Sequence, residues 1–314
     1  MGMLDGKTAI ITGAGRGLGR EHALLFAKEG CNLVLNDLGA FHDGSGAEAK
    51  VADQIVDEIK NLGVKAVANY DSVRDFNKTK AMIDQAVSEF GKLDIVVNNA
   101  GMLRDRMLFN MTEAEFDDIV GVHLKGTFNM TRHAGAYFRE QGKAKPELKN
   151  FGRIINTASD AGLLGNMGQT NYAAAKAGIA ALTVVASMEL KKYATVNCIV
   201  PVARTRLTTD ATPNFADVMK KLDDRGYDVF DPANVAPMVA FLASDSANKI
   251  TGEVFRCVAD RVYVYQGWQT VKYISNNGER FTPQILAERV KPELLKGLSR
   301  KQTLIDAFTE LVKL

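Results

Sequence analysis

Short apolar segments alternate with longer helical segments along most of this chain, and that alternation limits the folds it can adopt. Seven segments have the length and composition of buried strands: 7–12, 31–36, 64–69, 93–98, 152–157, 195–200 and 252–258. Helical segments lie between them, near 47–62, 75–90, 112–140, 170–192 and 232–244. Strands separated by helices favour parallel pairing with helices on both faces. The sequence therefore predicts an α/β fold with three α/β/α layers and a doubly wound parallel sheet of seven strands.

The length and composition favour one large domain. A chain of 314 residues with 46% hydrophobic residues can bury a substantial core. We predict a sheet domain over residues 1–260 and a C-terminal extension over 261–314, packed on the same domain. The helix expected near 112–140 begins with a capping box, in which Thr112 is followed by Glu115.

Charge, hydropathy and cysteine usage exclude several classes of partner. The net charge is +2, and no basic stripe with interleaved aromatic residues suggests nucleic acid. No apolar segment is long enough to span a bilayer, and the first residues lack an apolar signal region. The three cysteines match no metal-site spacing and lie in apolar runs. We expect reduced core cysteines, no metal, no membrane or nucleic-acid partner, and a cytoplasmic protein.

A glycine-rich turn joins the first predicted strand to the first predicted helix, in the segment Gly13-Ala14-Gly15-Arg16-Gly17-Leu18-Gly19. Glycines let the backbone approach a pyrophosphate, and the helix N-terminus offers free N–H groups.

An acidic residue follows at the spacing expected for a nucleotide site. Asp37 ends the second strand, 24 residues after Gly13 and near the position of an acidic residue that binds an adenosine ribose. Its carboxylate would repel a 2′-phosphate, whereas Arg16 would attract one. The direct like-charge conflict favours NAD, with NADP less favoured.

Three residues suggest a proton-transfer site: Ser159, Tyr172 and Lys176. Tyr172 and Lys176 are four residues apart and share a helix face. A pair at this spacing is also common in ordinary helices, but the nucleotide motif favours a catalytic role. The ammonium is expected to lower the pKa of the phenol, and Ser159 to hold a substrate oxygen. Such a set interconverts an alcohol and a ketone.

These motifs together resemble the short-chain dehydrogenase/reductase family. The resemblance rests on residues 12–19, on Asn98-Asn99-Ala100-Gly101 and on the serine–tyrosine–lysine spacing, and it covers roughly residues 5–260. Segments 36–39, 68–73, 152–155 and 168–172 are similar to one branch, which contains the (3R)-hydroxyacyl-CoA dehydrogenase unit of peroxisomal multifunctional enzyme type 2 and stand-alone bacterial relatives. The resemblance implies a Rossmann-type, NAD-dependent enzyme. It also implies a 3-hydroxyacyl-CoA or steroid-like substrate and a homodimer or homotetramer.

The resemblance also assigns roles to individual positions. It places Gly13, Arg16, Gly17, Leu18 and Gly19 at the cofactor together with Asp37, Asp71, Ser72, Asn99, Ala100, Gly101, Tyr172, Lys176, Pro201 and Val202. Asp71 and Ser72 would meet the adenine, and Pro201 and Val202 the nicotinamide.

Four residues in three places depart from the usual family pattern. His123 stands where many members have a relay asparagine, and it either joins the proton relay or fills space beside it. Val202 replaces a glycine, and Ala259-Asp260 replaces a glycine pair.

Two other functions fit the same motifs. One is an NADPH-dependent ketoacyl or steroid ketoreductase, and the other is a non-catalytic dinucleotide-sensing protein. An apolar substrate is suggested by hydrophobic residues expected at the pocket mouth: Met102, Leu103, Met107, Leu108, Leu163, Leu164 and Met167.

Overall fold

A computed structural model describes residues 2–41, 43–46, 51–211, 219 and 226–312. Its strands form a single sheet in the order β3-β2-β1-β4-β5-β6-β7-β8. Strands β1 to β7 pair in parallel, and β8 pairs antiparallel with β7. The bounds are β1 Thr8–Thr12, β2 Asn32–Asn36, β3 Ala66–Asn69, β4 Ile95–Asn98, β5 Gly152–Thr157, β6 Ala194–Pro201, β7 Val254–Val258 and β8 Arg261–Tyr265. The predicted α/β class and the doubly wound sheet are confirmed.

Among the described residues the sheet has eight strands, so the predicted count of seven was wrong. The chain reverses at Ala259 and Asp260, and Ala259 has a positive φ of 51°. Val258 then pairs with Arg261, and the antiparallel ladder continues to Tyr265. The alternating sequence of Arg261–Tyr265 is typical of an edge strand with one exposed face. The prediction rested on continuous apolar runs, which are typical of buried parallel strands, and therefore did not include this strand.

Helices cover both faces of the sheet. Their bounds are α1 Gly17–Lys28, α2 Val51–Lys60, α3 Phe76–Phe90, α4 Glu113–Val120, α5 Gly126–Ala144, α6 Asp160–Leu164, α7 Thr170–Glu189, α8 Arg206–Ala211 and α9 Ala236–Ala243. Part of the helix predicted near 47–62 falls at residues 47–50, outside the described residues.

Successive strand residues face opposite layers, as a buried parallel sheet requires. Ile11 packs into the core that includes residues of α1, α2 and α9. Ile10, its neighbour, packs into the core that includes residues of α3, α5 and α7. This alternation confirms the predicted three-layer arrangement.

The helix expected over 112–140 is interrupted. A π-helical turn, Gly121–Lys125, separates α4 from α5. The predicted capping box starts α4, with the Glu115 N–H donating to Thr112 Oγ1 at 3.2 Å and the Thr112 N–H donating to Glu115 Oε2 at 2.8 Å. Single π turns inside helices are frequent at functional sites.

The chain divides into two compact units, Met1–Tyr265 and Gln266–Leu314. The second unit contains α10 (Pro283–Arg289), a π-helical turn (Val290–Leu294) and α11 (Leu304–Val312). The domain boundary at 260 and the packing of the extension stay predictions.

Within the described residues, no helix combines the length and the apolar character that crossing a bilayer requires.

Candidate active site

The predicted site residues meet at the carboxyl ends of the parallel strands. A cleft of about 390 Å³ opens there. It is lined by the predicted residues Gly13, Arg16, Gly17, Leu18, Asp37, Asp71, Ser72, Asn99, Ala100, Gly101, His123, Ser159, Tyr172, Lys176 and Pro201. Gly19 and Val202 do not line the cleft.

The glycine turn has the shape that a dinucleotide needs. Gly13 has a φ of +64°, and a Cβ on it would lie 2.8 Å from the Ala100 Cα. A Cβ on Gly19 would lie 2.0 Å from the Gly13 carbonyl oxygen, so this glycine permits close packing of α1 against the turn. Helix α1 begins at Gly17 with no side-chain cap from Arg16. Its first N–H groups and its dipole therefore favour an anion such as a pyrophosphate.

Thr12 and Asn99 hold the turn against β4. The Asn99 side chain donates to the carbonyl oxygens of Thr12 and Gly13, both at 3.1 Å. The N–H groups of Asn99 and Ala100 donate to Thr12 Oγ1 at 3.0 and 3.1 Å. These residues shape the turn in this structure, and their contact with a ribose stays a prediction.

Backbone N–H groups orient the Asp37 carboxylate. Oδ2 accepts from Gly15 N at 2.8 Å, and Oδ1 accepts from Gly39 N at 2.7 Å. A Cβ on Gly15 would lie 2.8 Å from Asp37 Oδ2. The carboxylate is thus placed at the end of β2, on the cleft, as the ribose role requires.

Two arginines flank the same part of the cleft. Burial and the neighbouring Arg206 lower the pKa of Arg16, and Asp37 raises it. Arg206 begins α8 and lines the cleft together with Thr205 and Leu207. The sequence reasoning missed this segment, although its position directly after a strand of the sheet is a signal for a ligand-facing loop.

Asp71 and Ser72 follow β3 and line the cleft as expected. The Asp71 backbone is held by both of its polar groups: its N–H donates to Asn69 Oδ1 at 3.0 Å, and its carbonyl accepts from Asn36 Nδ2 at 2.8 Å. Ser72 Oγ accepts from Arg74 N at 3.3 Å. Contact of either residue with an adenine stays a prediction.

Ser159 and Tyr172 lie next to each other, on the loop after β5 and on the first turn of α7. The Ser159 hydroxyl caps α6 by accepting from Ala161 N at 3.2 Å. The pKa of Tyr172 is raised to about 12, mainly because the surrounding protein desolvates the phenol. The charges of Asp105 and Asp160 also raise this pKa, whereas the hydrogen bond with Ser159 lowers it. The phenol is therefore neutral at pH 7, which differs from the expected lowering by Lys176.

Lys176 is buried behind the tyrosine. Its ammonium donates to the Thr157 carbonyl at 2.6 Å and lies 5.5 Å from the centre of the Tyr172 ring. Burial lowers the pKa of Lys176 to about 8. The predicted sharing of one helix face is confirmed, but desolvation outweighs the attraction between the two groups.

His123 lies in the π-helical turn and contacts Tyr172. The two rings are edge to face, with centres 5.1 Å apart. His123 Nε2 is 2.8 Å from the Met102 carbonyl oxygen and 3.1 Å from the Met102 backbone nitrogen, while the buried Nδ1 has no hydrogen-bond partner among the described residues. Burial and, to a smaller extent, the ammonium of Lys176 together lower the pKa of His123 to about 3. The imidazole is therefore neutral at physiological pH.

Comparison with known proteins agrees with this geometry. The short chain dehydrogenase family model matches residues 7–215, two thirds of the chain. The chain belongs to the short-chain dehydrogenase family. The matched region has the fold and the motifs of an oxidoreductase domain.

Similar curated proteins differ in length. Hydroxyacyl-CoA dehydrogenase ChsB1 of Mycobacterium tuberculosis is 40% identical over 92% of this chain and 88% of its own. The peroxisomal hydratase-dehydrogenase-epimerase of Saccharomyces cerevisiae is 43% identical over 81% of this chain but only 26% of its own. The chain thus spans about a quarter of that multifunctional protein.

Solved structures show the same fold. A short chain dehydrogenase from Mycobacterium avium superposes with a TM-score of 0.83 at 43% identity, covering 96% of this chain and 99% of that one. Carveol dehydrogenase from Mycobacterium avium, in complex with NAD, gives a TM-score of 0.70 at 25% identity, covering 82% of this chain and 97% of that one.

Proposed function

We propose that this protein is an NAD-dependent dehydrogenase that interconverts a secondary alcohol and a ketone, with Tyr172 as the proton-transfer group. One observation carries the proposal: Ser159, Tyr172 and Lys176 line the same cleft as the glycine turn and Asp37. When bound, the dinucleotide supplies the hydride acceptor or donor and, in its oxidised form, a positive charge.

The chain's own residues bind and orient the reactants and move the proton. The glycine turn holds the pyrophosphate, and Asp37 accepts hydrogen bonds from a ribose. The hydroxyls of Ser159 and Tyr172 hold the substrate oxygen, and the phenol exchanges its proton with that oxygen. Because the pKa of Tyr172 is about 12, the phenol loses its proton at neutral pH only when further positive charge enters the site.

Lys176 and His123 lie behind the phenol. The Lys176 ammonium has three donors, and only one bond to Thr157 is seen. The remaining donors can pass a proton onward from the tyrosine side of the cleft. We place the partnerless Nδ1 of His123 on the same path.

The preference for NAD follows from Asp37. Its carboxylate is held by Gly15 and Gly39, so it cannot turn away from an added 2′-phosphate without losing two hydrogen bonds. Arg16 and Arg206 reduce the repulsion, but Asp37 lies at the strand end where the ribose-binding acid is expected.

We propose a hydrophobic substrate such as a 3-hydroxyacyl-CoA or a steroid-like alcohol. Arg106 N donates to the Gly168 carbonyl at 2.7 Å, so the segment that follows β4 and the segment that precedes α7 are adjacent. Large apolar side chains beside this contact are exposed: Met107, Leu108, Phe109 and Met167. Of the apolar residues expected at the mouth, only Met102 lines the cleft itself. The name of the mycobacterial relative supports the acyl-CoA choice.

The substitution Tyr172→Phe tests the proposal. We expect turnover to fall by at least ~10²-fold, the scale of general acid–base catalysis, with the NAD dissociation constant within a few-fold of wild type. NADH formation is measured at 340 nm with 3-hydroxyacyl-CoA esters and hydroxysteroids, and Tyr273→Phe, at an exposed tyrosine outside the cleft, is the control. Appreciable residual turnover in Tyr172→Phe would contradict the tyrosine assignment.

A ketoreductase using NADPH is the second candidate. The neutral phenol favours it, because a protonated tyrosine can donate to a ketone oxygen without prior deprotonation. Competitive fluorescence titration with NADH and NADPH decides between the cofactors, and initial rates in both directions decide the favoured reaction. Cofactor binding without turnover of any alcohol or ketone would instead support a non-catalytic dinucleotide-sensing protein.

We further propose a cytoplasmic homodimer or homotetramer. Helices α5 and α7 leave large apolar side chains exposed next to a groove between them, namely Phe128, Val185 and Met188. Analytical ultracentrifugation of wild type and Val185→Glu tests the assembly, since a monomeric wild type would contradict it. Fractionation of the source cells tests the location.

A further inference from the structure

A buried charged cluster lies directly behind the catalytic serine. Asp160 follows Ser159 in the chain and is the first residue of α6. The Arg256 Nε donates to both carboxylate oxygens of Asp160, at 3.1 and 2.9 Å, and both side chains are only 5% exposed. The Tyr265 hydroxyl donates to Asp160 Oδ1 at 2.6 Å. We call these three residues the Asp160 cluster.

The β7–β8 hairpin builds this cluster. Arg256 lies opposite Tyr263, and Tyr265 lies opposite Val254, across the antiparallel ladder. The Arg256 guanidinium also lies 5.5 Å from the centre of the Tyr263 ring. Strand β8 therefore contributes two groups: the Tyr265 hydroxyl, which donates to the Asp160 carboxylate, and the Tyr263 ring, which packs on the Arg256 guanidinium.

We propose that the Asp160 cluster is a positioning device of the active site, which fixes the Ser159 turn and sets the electrostatic environment of Tyr172. The inference rests on the proposed function, because it concerns the proton that Tyr172 exchanges. Asp160, Arg256 and Tyr265 are not among the residues that line the cleft, so they act through their neighbours.

The first part of the argument is mechanical. A buried carboxylate is stable only when it is paired and hydrogen-bonded, so three bonds tie the first residue of α6 to the sheet. Because Ser159 is the N-cap of α6, the cluster limits the movement of the serine hydroxyl.

The second part is electrostatic. The negative charge of Asp160 raises the pKa of Tyr172, and the paired Arg256 opposes that effect. For an effective dielectric constant of ~20, one unit charge at roughly 10 Å shifts a pKa by about one unit. Burial and the adjacent carboxylate raise the pKa of Tyr265, so its hydroxyl stays a donor throughout the working range.

Other groups near Tyr172 come from every element packed against it, and they stay unchanged in the variants below. They are Lys176 on α7, His123 in the π-helical turn and Asp105 in the loop after β4, with Cys198 on β6 beside Lys176.

The test is the pH profile of kcat/KM for alcohol oxidation at saturating NAD. Asp160→Asn removes the negative charge and retains the positive charge of Arg256, so we expect the midpoint of the rising limb to move to lower pH by about one unit. The double variant Asp160→Asn/Arg256→Gln carries neither charge, and its midpoint should return close to wild type. Tyr265→Phe removes one hydrogen bond and no charge, so its midpoint should stay while turnover falls.

A second pair keeps the test decisive if Asp160→Asn does not fold. Arg256→Lys retains the cation and should leave the midpoint in place, whereas Arg256→Gln should move it to higher pH. Midpoints that stay in place in both Asp160→Asn and Arg256→Gln would overturn the proposal and leave the cluster a purely structural ion pair.

Failure of the proposed function has a different signature. If wild type shows no NAD-linked turnover, or if Tyr172→Phe retains it, the assignment of Tyr172 is wrong. If turnover depends on Tyr172 and only the Asp160 variants fail to move the midpoint, the inference about the cluster alone is wrong.

Discussion

Replacing Gly101 by alanine tests the contact between the loop after β4 and His123. A Cβ on Gly101 would lie 2.5 Å from His123 Cε1, where ordinary contact begins at 3.4 Å. The imidazole must therefore move by about 0.9 Å. It cannot do so freely, because Nε2 is held by Met102 and the ring packs on Tyr172.

The expected cost follows from this overlap. Forcing an extra methyl into a packed site costs about 1–3 kcal/mol. Because the displaced ring rests on Tyr172, we also expect turnover to fall by up to ~10²-fold, the effect of a misplacement near 1 Å. Urea unfolding followed by circular dichroism measures the first quantity, and steady-state kinetics measures the second.

A double-mutant cycle isolates the contact. In the His123→Ala background the ring is gone, so Gly101→Ala should cost less than ~0.5 kcal/mol. Gly267→Ala is the matched control, since nothing lies within 4 Å of its added Cβ, and it should change stability by no more than ~0.5 kcal/mol. If Gly101→Ala costs the same with and without the imidazole, the packing of His123 described above is wrong.

Three further predictions follow from single residues. Asp37→Ser removes the charge that opposes a 2′-phosphate, so the ratio of NADPH affinity to NADH affinity should rise roughly 10- to 100-fold. Fluorescence titrations measure both affinities, and an unchanged ratio would contradict the assignment of Asp37 to the adenosine ribose. Burial lowers the pKa of His22 from 6.5 to about 3. The stability that the neutral imidazole contributes is therefore complete above pH 6.5 and is lost as the pH falls toward 3, by up to ~1.4 kcal/mol per pH unit. His22→Leu should lose less stability than wild type between pH 7 and 4, and equal acid sensitivity of the two proteins in urea unfolding would refute this. Thr112→Ala removes the N-cap of α4 and should cost about 1 kcal/mol in the same assay, whereas no loss would show that the capping box does not stabilise the helix.

The sequence predicted those features that depend on local pattern. Strand and helix periodicity gave the three layers, because alternate residues such as Ile10 and Ile11 face opposite cores. The glycine turn and Asp37 were located because they occupy fixed places around the first two strands. The capping box at Thr112 was located because it depends on residues three apart.

Features that depend on distant contacts were not predictable in this way. The π-helical turn around His123 is marked locally only by Gly121 and Gly126, and single glycines are also tolerated in ordinary helices. The imidazole is fixed by the backbone of Met102, 21 residues away. Arg206 reaches the cleft only because β6 ends at the same sheet edge as β1. The partners of Asp160 come from the two strands of a hairpin about a hundred residues later.

The protonation of Tyr172 and Lys176 shows why spacing alone predicts position better than chemistry. Four residues of helix place Tyr172 and Lys176 on one face, as expected, and the ammonium lies 5.5 Å from the centre of the ring. The same burial that keeps them together favours the neutral form of each, so the pKa of the phenol rises to about 12 and that of the ammonium falls to about 8. A phenol in this environment keeps its proton until positive charge enters the site, so a bound oxidised nicotinamide ring, which is cationic, would favour loss of that proton.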